Sequence, residues 1–187
     1  MITALDKNTA LVLIDLQKGI VKLPPGDVVN KIVQNVVKLV DAFHKAGLPV
    51  VAVTVNPGSS AWLNTRKDVK PASRAAFEGD SLHIIPEIKT QPGDIFITKH
   101  TWGAFYETAL DEELKKRNIT GIVLAGISSS IGVEGTARQA SERGYNITFA
   151  EDAMTDSVPE AQERSLKYIF PRMGEVGDTD EIIQKLF

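Results

Sequence analysis

The sequence predicts an α/β fold built around a largely parallel sheet. Short apolar runs alternate with segments of helical periodicity along the chain, which is typical of repeated strand–helix–strand units. The apolar runs are continuous rather than alternating with polar residues, as expected for strands that are buried on both faces. The chain has 187 residues, of which 43% are hydrophobic, and this suits a single domain over residues 1–187 with a sizeable core.

Two strands and one helix are predicted in the first third of the chain. Residues 10–14 form a run too short and too apolar for an amphipathic helix, so they indicate a central strand that ends at Asp15. In residues 28–46, apolar side chains recur at three- and four-residue spacing, which predicts a helix closed by Gly47. Residues 49–55 form the second predicted strand.

A long irregular segment is predicted over residues 56–92, with short helices near Ala72 and Leu82. It begins with the turn sequence Asn-Pro-Gly-Ser-Ser. Irregular segments of this length are uncommon in compact domains and are often functional. We therefore interpret the segment as a cap or rim, with Trp62 as one of its cap residues.

The alternation of strands and helices continues to the end of the chain. The predicted elements are a strand over 94–98, a helix over 106–117, a strand over 121–126, a helix over 132–143, a strand over 145–150 that ends at Glu151-Asp152, a helix over 159–170, a short strand over 174–176 and a terminal helix from Thr179. Pro159 stands in the first turn of its helix, where its missing N–H has no cost.

Composition argues against several classes of function. The net charge is −3, and Lys and Arg are scattered among Asp and Glu, so no basic stripe is available for nucleic acid. No run approaches the roughly 20 apolar residues of a membrane span, and we expect no targeting segment. The absence of cysteine excludes a protein thiolate from the chemistry and suits a reducing compartment, so we expect a cytoplasmic protein.

Chemistry is expected at one edge of the predicted sheet, because residues just past the ends of parallel strands converge on a single crevice. Asp15 follows the first strand, Lys99 follows the third, and the turn from Gly126 to Gly132 leads from the fourth strand into a helix. An ammonium beside a carboxylate can form an acid/base pair in an enclosed site. Taken singly, Asp15 could equally be a turn cap and Lys99 a solvated strand end.

Three ordered blocks of sequence resemble the signature blocks of the isochorismatase-like hydrolase superfamily. They occupy residues 13–17, 98–105 and 124–138, and the similarity extends from about residue 9 to residue 176. Each block is weak alone, whereas their order and spacing together are specific. The resemblance implies a three-layer α/β/α Rossmann-like sandwich with a six-stranded, mostly parallel sheet, and a homo-oligomer that is a dimer or larger.

The resemblance also implies a site made of an Asp, a Lys and usually a Cys, which attacks an amide carbonyl in amidase-type members. Asp15 and Lys99 match the first two residues, but Gly132 stands at the cysteine position. A cis peptide bond is implied between Ile127 and Ser128, with the backbone N–H groups of Ser128 and Gly132 directed at a developing oxyanion. The catalytic residues carried over are therefore Asp15, Lys99 and Gly132, without a nucleophile.

Further substrate contacts are carried over from the same resemblance. Asn56 falls where a Gln usually contacts the substrate, and Arg66 lies near the position of an Arg that binds a substrate carboxylate. Trp102 and Phe105 could form an apolar wall, although a core or dimer-interface role is supported at least as well. The complete set of predicted substrate-binding residues is Gln17, Asn56, Arg66, Trp102, Phe105 and Ser128.

Glycine at position 132 does not by itself abolish activity. Relatives that hydrolyse vinyl ethers need only a proton delivered to an alkene carbon, followed by addition of water. Residues 133–138 nevertheless resemble the small amidase-type relatives more closely. We predict a hydrolase of a small polar molecule, a vinyl ether, amide or carbamoyl compound, that uses Asp15 and Lys99. The alternative is an inactive relative that binds a small molecule without turnover.

Replacement nucleophiles and metals have little support in the sequence. Ser130 lies two residues before Gly132, and no His is positioned to activate its hydroxyl. His44, His83 and His100 show no paired ligand spacing. No metal and no other cofactor are expected.

Overall fold

A computed structural model describes residues 2–69 and 77–187, and in it six parallel strands form one sheet. The strands are β1 (Thr9–Ile14), β2 (Val50–Val55), β3 (Ile95–Lys99), β4 (Gly121–Ile127), β5 (Asn146–Thr155) and β6 (Glu175–Gly177). Their order across the sheet is β3-β2-β1-β4-β5-β6, and every neighbouring pair is parallel. This confirms the predicted α/β class and the six-stranded sheet.

Helices cover both faces of this sheet. They are α1 (Gly26–Lys45), α2 (Leu110–Lys116), α3 (Glu134–Glu142), α4 (Pro159–Arg164) and α5 (Thr179–Gln184), and short 3-10 helices lie at Ala61–Asn64 and Gly79–Leu82. Within the described ranges, no helix combines the length and the apolarity that a membrane crossing requires. The 3-10 helix that ends at Leu82 agrees with the helix expected there, whereas Ala72 lies outside the described residues.

Two hydrophobic cores lie on opposite faces of the sheet, and β1 contributes to both. Ala10, Val12 and Ile14 pack with side chains of α2 and α3. Leu11 and Leu13 pack with α1 and α5. Successive side chains of a strand point to opposite faces, so a strand covered by helices on both sides must be apolar throughout.

The strand order reverses between β1 and β4, and this reversal determines where a crevice opens. The connection from β1 runs through α1 to β2, and the connection from β4 runs through α3 to β5, toward the opposite edge. Because these helices lie on opposite faces, a gap remains beyond the carboxyl ends of β1 and β4. Asp15 and the segment after Ile127 lie at this edge.

Strand β5 differs from the prediction. It was expected to end at residue 150 but continues to Thr155, so the predicted end at Glu151-Asp152 is wrong. The register against β4 shifts between Leu124 and Gly126, and this bulge accommodates Glu151 and Asp152 within β5. The Asp152 carboxylate accepts hydrogen bonds from the backbone N–H and the hydroxyl of Thr179, so tertiary partners satisfy a group that resembled a strand end.

Several other helix and strand boundaries also differ from the predicted ones. Helix α2 begins at Leu110 rather than at 106, and Lys99 is the last residue of β3 rather than the residue after it. A π-helical turn over Ser129–Val133 precedes α3, so the helical segment starts earlier than the predicted residue 132. The predicted helix over 159–170 consists of α4 followed by a π-helical turn over Ser165–Ile169.

Candidate active site

Asp15 and Lys99 form a buried ion pair at the carboxyl edge of the sheet. Oδ2 of Asp15 lies 2.7 Å from Nζ of Lys99, and the side chains are 7% and 2% exposed. The Lys99 ammonium also donates to the carbonyl oxygen of Thr101 at 3.2 Å. Oδ1 of Asp15 is buried and has no hydrogen-bond partner among the described residues. Lysine therefore holds one carboxylate oxygen, and the other retains its capacity to accept a proton.

Burial raises the pKa of Asp15 from its ordinary value of 3.8 to about 6. Loss of hydration is the largest cause, because the charged carboxylate is poorly solvated beneath the surface. The charge and the hydrogen bond of Lys99 act in the opposite direction and limit the rise. A carboxyl group with this pKa can both release and accept a proton near neutral pH.

The backbone at Asp15 explains how its carboxylate comes to lie at this edge. Its φ is 53°, in the left-handed region that Asp and Asn tolerate better than most residues. The Asp15 N–H donates to Val53 O at 2.9 Å, and Asp15 O accepts from the Gln17 N–H at 2.8 Å. The chain thus turns immediately after β1 while it remains bonded to β2.

Gly126 allows β4 to approach β1 closely just before the turn. Its φ is 122°, and a Cβ at this position would lie 2.1 Å from the carbonyl oxygen of Ile14. No side chain can be accommodated at that distance. The two strand ends on which the candidate site depends are therefore brought together by a glycine.

The segment after Gly126 contains the expected cis peptide bond between Ile127 and Ser128. Ser128 is half-buried, and its carbonyl oxygen accepts from the N–H groups of Ile131 at 3.2 Å and Val133 at 3.1 Å. These bonds tie the start of the π-helical turn to the strand end. N–H groups at the start of a helical segment are suited to stabilising developing negative charge.

Gly132 faces the Asp15 carboxylate. A Cβ at this position would lie 3.2 Å from Oδ2 of Asp15 and 2.9 Å from Cγ2 of Ile14. A side chain here would therefore project toward the ion pair, as the position of a nucleophile requires. With glycine at 132 and no cysteine in the chain, this position supplies no thiol. The structure thus brings together all three residues that the sequence nominated as catalytic.

Asp156 is bonded to the π-helical turn that contains Gly132, and the sequence did not predict this role. It is 3% exposed, and its Oδ2 accepts from both the N–H and the hydroxyl of Ser130 at 2.8 Å. Its Oδ1 accepts from the Val158 N–H at 3.1 Å. Because β5 was expected to end at residue 150, Asp156 was not placed at the sheet edge. The available signal was an Asp that directly follows the short run Ala153-Met154-Thr155.

Gln17, predicted to bind substrate, is fully buried and bonded to the protein itself. Its Nε2 donates to Val55 O at 3.1 Å and to Leu82 O at 2.9 Å, and its Oε1 accepts from the Val55 N–H at 2.7 Å. The side chain thus joins the end of β2 to the segment around the 3-10 helix Gly79–Leu82. These bonds support a structural role.

Replacing Gln17 with Met is expected to lower the free energy of unfolding by about 1 to 3 kcal/mol. The substitution preserves side-chain length but leaves the buried N–H of Val55 and the Leu82 carbonyl without this partner. Urea unfolding monitored by circular dichroism would measure the loss. Gln34→Met on the exposed face of α1 is the matched control, with an expected change within about 0.5 kcal/mol. Equal effects of the two variants would contradict the structural role.

A cleft of about 340 Å³ opens beyond the ends of β2 and β3. It is lined by Asn56, Pro57, Gly58, Ser59, Ser60 and His100, and is called the β2–β3 cleft below. The Asn56 N–H donates to the carbonyl oxygen of Lys99 at 2.9 Å, and Trp62 Nε1–H donates to the carbonyl oxygen of His100 at 2.6 Å. Asn56 therefore lines a cleft and is bonded to the backbone of Lys99, and Trp62 is hydrogen-bonded to the backbone of the cleft residue His100.

The remaining predicted substrate contacts lie in different surroundings. Phe105 is buried in the core on the α3 side, with its ring 5.7 Å from that of Tyr145. Trp102 is 56% exposed at the surface. Arg66 is exposed and has no hydrogen bond or ion pair with any residue in the described part of the chain. The core role left open for Phe105 agrees with its position, and Trp102 is the residue of the two that can meet a ligand.

Each of the three histidines contacts a different residue. Nε2 of His44 lies 2.9 Å from Asp94, Nδ1 of His83 lies 3.1 Å from Asp80, and His100 contacts the backbone of Asn56. Across residues 2–69 and 77–187, no group of three or more His, Asp or Glu side chains is arranged to hold a metal ion.

Comparison with known proteins agrees with this architecture. The isochorismatase domain model matches residues 9–181. The uncharacterized isochorismatase family protein YwoC of Bacillus subtilis is 41% identical over 182 residues, covering 96% of this chain and 95% of that protein. The solved structure of an isochorismatase family protein from Burkholderia thailandensis is 39% identical, with a TM-score of 0.91 over 100% of this chain and 99% of that one. N-carbamoylsarcosine amidase from Thermoplasma acidophilum is 28% identical, with a TM-score of 0.76 over 92% and 97% of the two chains.

The matched region contains all six strands and therefore the whole edge on which the candidate site is built. It includes Asp15, Lys99 and Gly132 as well as the cis peptide bond that precedes the π-helical turn. Sequence, topology and site geometry point to the same conclusion: the chain belongs to the isochorismatase-like hydrolase family.

Proposed function

We propose that the protein hydrolyses a small amide or carbamoyl compound by direct attack of water, with Asp15 as the general base and no covalent intermediate. The observation that carries the proposal is the Asp15 carboxyl group, which has one oxygen on Lys99, the other unpaired, and a pKa raised to about 6. Amide chemistry is supported by the similarity of this chain to N-carbamoylsarcosine amidase from Thermoplasma acidophilum. It is also consistent with the amidase-like residues around Gly132.

In this mechanism, ionised Asp15 takes a proton from a water molecule while the water oxygen attacks the carbonyl carbon. The C–N bond then breaks, and Asp15 returns the proton to the departing nitrogen. The products are a carboxylic or carbamic acid and an amine or ammonia. General base and acid steps of this kind contribute about 10²- to 10⁴-fold each, and the proton is conserved over the cycle.

Lys99 is proposed as the electrostatic partner rather than a proton donor. Its ammonium lies 2.7 Å from Oδ2, so it favours the ionised form of Asp15 that the first step requires. The N–H groups of Ser128 and Gly132 are proposed as donors to the carbonyl oxygen as negative charge develops on it. Glycine at 132 leaves the Asp15 carboxylate without a side chain in front of it, which suits attack by water.

The pH dependence of kcat/KM distinguishes Asp15 acting as a general base from Asp15 acting as a general acid. A general base acts when ionised, so the rate should rise about tenfold per pH unit below the Asp15 pKa of about 6 and level off above it. A vinyl-ether hydrolase would need protonated Asp15, and its rate should fall above the same pH. The measurement is a screen of small amides, carbamoyl compounds and isochorismate at pH values that bracket this pKa.

The same screen addresses binding without turnover. If no compound is hydrolysed, and small amides bind equally to the native protein and to Asp15→Asn, the chain is a binding protein and the proposed hydrolysis is wrong. Release of ammonia or amine with a rate that rises through the Asp15 pKa is the expected result.

A further inference from the structure

His100 has a fixed orientation in the wall of the β2–β3 cleft. Its Nδ1 lies 2.6 Å from the carbonyl oxygen of Asn56, and its own carbonyl oxygen accepts from Trp62 Nε1–H at 2.6 Å. The imidazole is thus tied to the segment after β2, and its backbone is tied to the 3-10 helix Ala61–Asn64. These contacts join the two walls of the cleft at His100.

The contact with Asn56 also determines which imidazole nitrogen carries the proton in the neutral ring. A carbonyl oxygen can only accept a hydrogen bond, so Nδ1 must be the donor. Nε2 then has a free lone pair, and it has no partner within the described ranges. His100 therefore offers a hydrogen-bond acceptor to a ligand in the cleft.

The other polar side chains of the cleft are uncharged amide and hydroxyl groups that are available for hydrogen bonds with a ligand. The amide of Asn56 and the hydroxyls of Ser59 and Ser60 make no hydrogen bond with other described side chains or with the described backbone. None of the lining residues in the described part of the chain is Lys or Arg. These side chains together offer both donors and acceptors, which suits a neutral group that has both N–H and C=O.

We infer that the β2–β3 cleft is a recognition subsite for a neutral amide or urea-type group, with Nε2 of His100 accepting from the ligand's N–H. Asn56, Ser59 and Ser60 supply further donors and acceptors. The inference rests on the proposed hydrolysis at Asp15 and deepens it. It concerns recognition of the part of the substrate that is remote from the reacting bond. This recognition is assigned to His100, which follows Lys99 in the sequence, and to Asn56, whose N–H is bonded to the Lys99 carbonyl oxygen.

The probe for this subsite is N-methylurea, compared with acetate as a carboxylate of similar size. Both are titrated into ¹⁵N-labelled native protein and into Asp15→Asn. We expect N-methylurea to shift the Nε2 resonance of His100 and the backbone resonances of Asn56, Ser59 and Ser60 in a saturable way in both proteins. Acetate should leave them unchanged. A structural role of His100 alone would not move the Nε2 resonance.

Two variants measure the contribution of the cleft to affinity. His100→Phe retains a ring but has no acceptor, and it should weaken N-methylurea binding at least fivefold, as loss of one hydrogen bond predicts. Combined Ser59→Ala and Ser60→Ala leaves the anchor between His100 and Asn56 intact and should also weaken binding. His83→Phe, at a residue whose side chain is 71% exposed outside the cleft, is the control and should bind as the native protein does.

The outcomes separate this inference from the proposed hydrolysis. Binding of N-methylurea at His100 without turnover of any amide would support the subsite and contradict the hydrolysis. Turnover that depends on Asp15, with no shift at Nε2 or with acetate bound as tightly as N-methylurea, would overturn the subsite and leave the hydrolysis intact.

Discussion

Replacing Asp15 with Asn is expected to lower kcat by about 10²- to 10⁴-fold, the usual contribution of a general acid/base group. Asn has the same shape and can still accept a hydrogen bond from Lys99, but it cannot take a proton from water. Asn also tolerates the left-handed backbone conformation at this position, where φ is 53°. The loss should therefore arise from chemistry rather than from misfolding.

The measurement is the steady-state rate of amine or ammonia release, with circular dichroism as a check of folding. Asp41→Asn, on the exposed face of α1, makes the same chemical change away from the sheet edge and should retain native activity. The remaining slow rate of Asp15→Asn should also lose the rise with pH near 6. Activity of Asp15→Asn within a few-fold of the native value would remove Asp15 from the mechanism.

Replacing Gly132 with Cys is expected to create a reactive thiol at the site. The new Cβ would lie 3.2 Å from Oδ2 of Asp15, so the thiol would be within reach of a carboxylate able to take its proton. Because the native chain has no cysteine, alkylation by iodoacetamide reports on this thiol alone. We expect alkylation faster than that of a free thiol at pH 7, and slower alkylation when Asp15→Asn is added.

Gly132→Ala is the matched control because it introduces the same Cβ without sulfur. Both variants bring that carbon to 2.9 Å from Cγ2 of Ile14, so each should lose about 1 to 3 kcal/mol of stability from overpacking. Mass spectrometry during amide turnover should detect an acyl-enzyme in Gly132→Cys but not in Gly132→Ala. A thiol that reacts no faster than free cysteine, with or without Asp15, would show that position 132 does not work with this carboxylate.

Much of the architecture was predictable because hydrophobic periodicity is a local property. The run that became β1 and the regularly spaced apolar residues of α1 could be assigned from a few neighbouring residues. Strand β5 was truncated in the prediction because Asp152 looked like a polar end. Its carboxylate is satisfied by Thr179, a partner 27 positions away that local sequence does not reveal.

The candidate site likewise contains residues that the sequence could identify and residues whose roles it could not reveal. Asp15, Lys99 and Gly132 were identified as three residues beyond strand ends, and the cis peptide bond after Ile127 was implied by the resemblance to the family. The roles of Gln17 and Asp156 depend on hydrogen bonds to segments that are distant in the sequence. Gln17 meets backbone groups 38 and 65 residues away, and Asp156 meets Ser130, 26 residues away.

By itself, the sequence determined the α/β class, the strands that place Asp15 and Lys99 at one edge, and the absence of a thiol at position 132. Only the tertiary structure decided that the Asp15 carboxyl has a pKa near 6, that one of its oxygens is unpaired, and that His100 presents Nε2 beside a cleft. The physical reason is that strand formation depends on nearby apolar residues. Desolvation and hydrogen-bond direction, in contrast, depend on which distant segments the folded chain brings into contact.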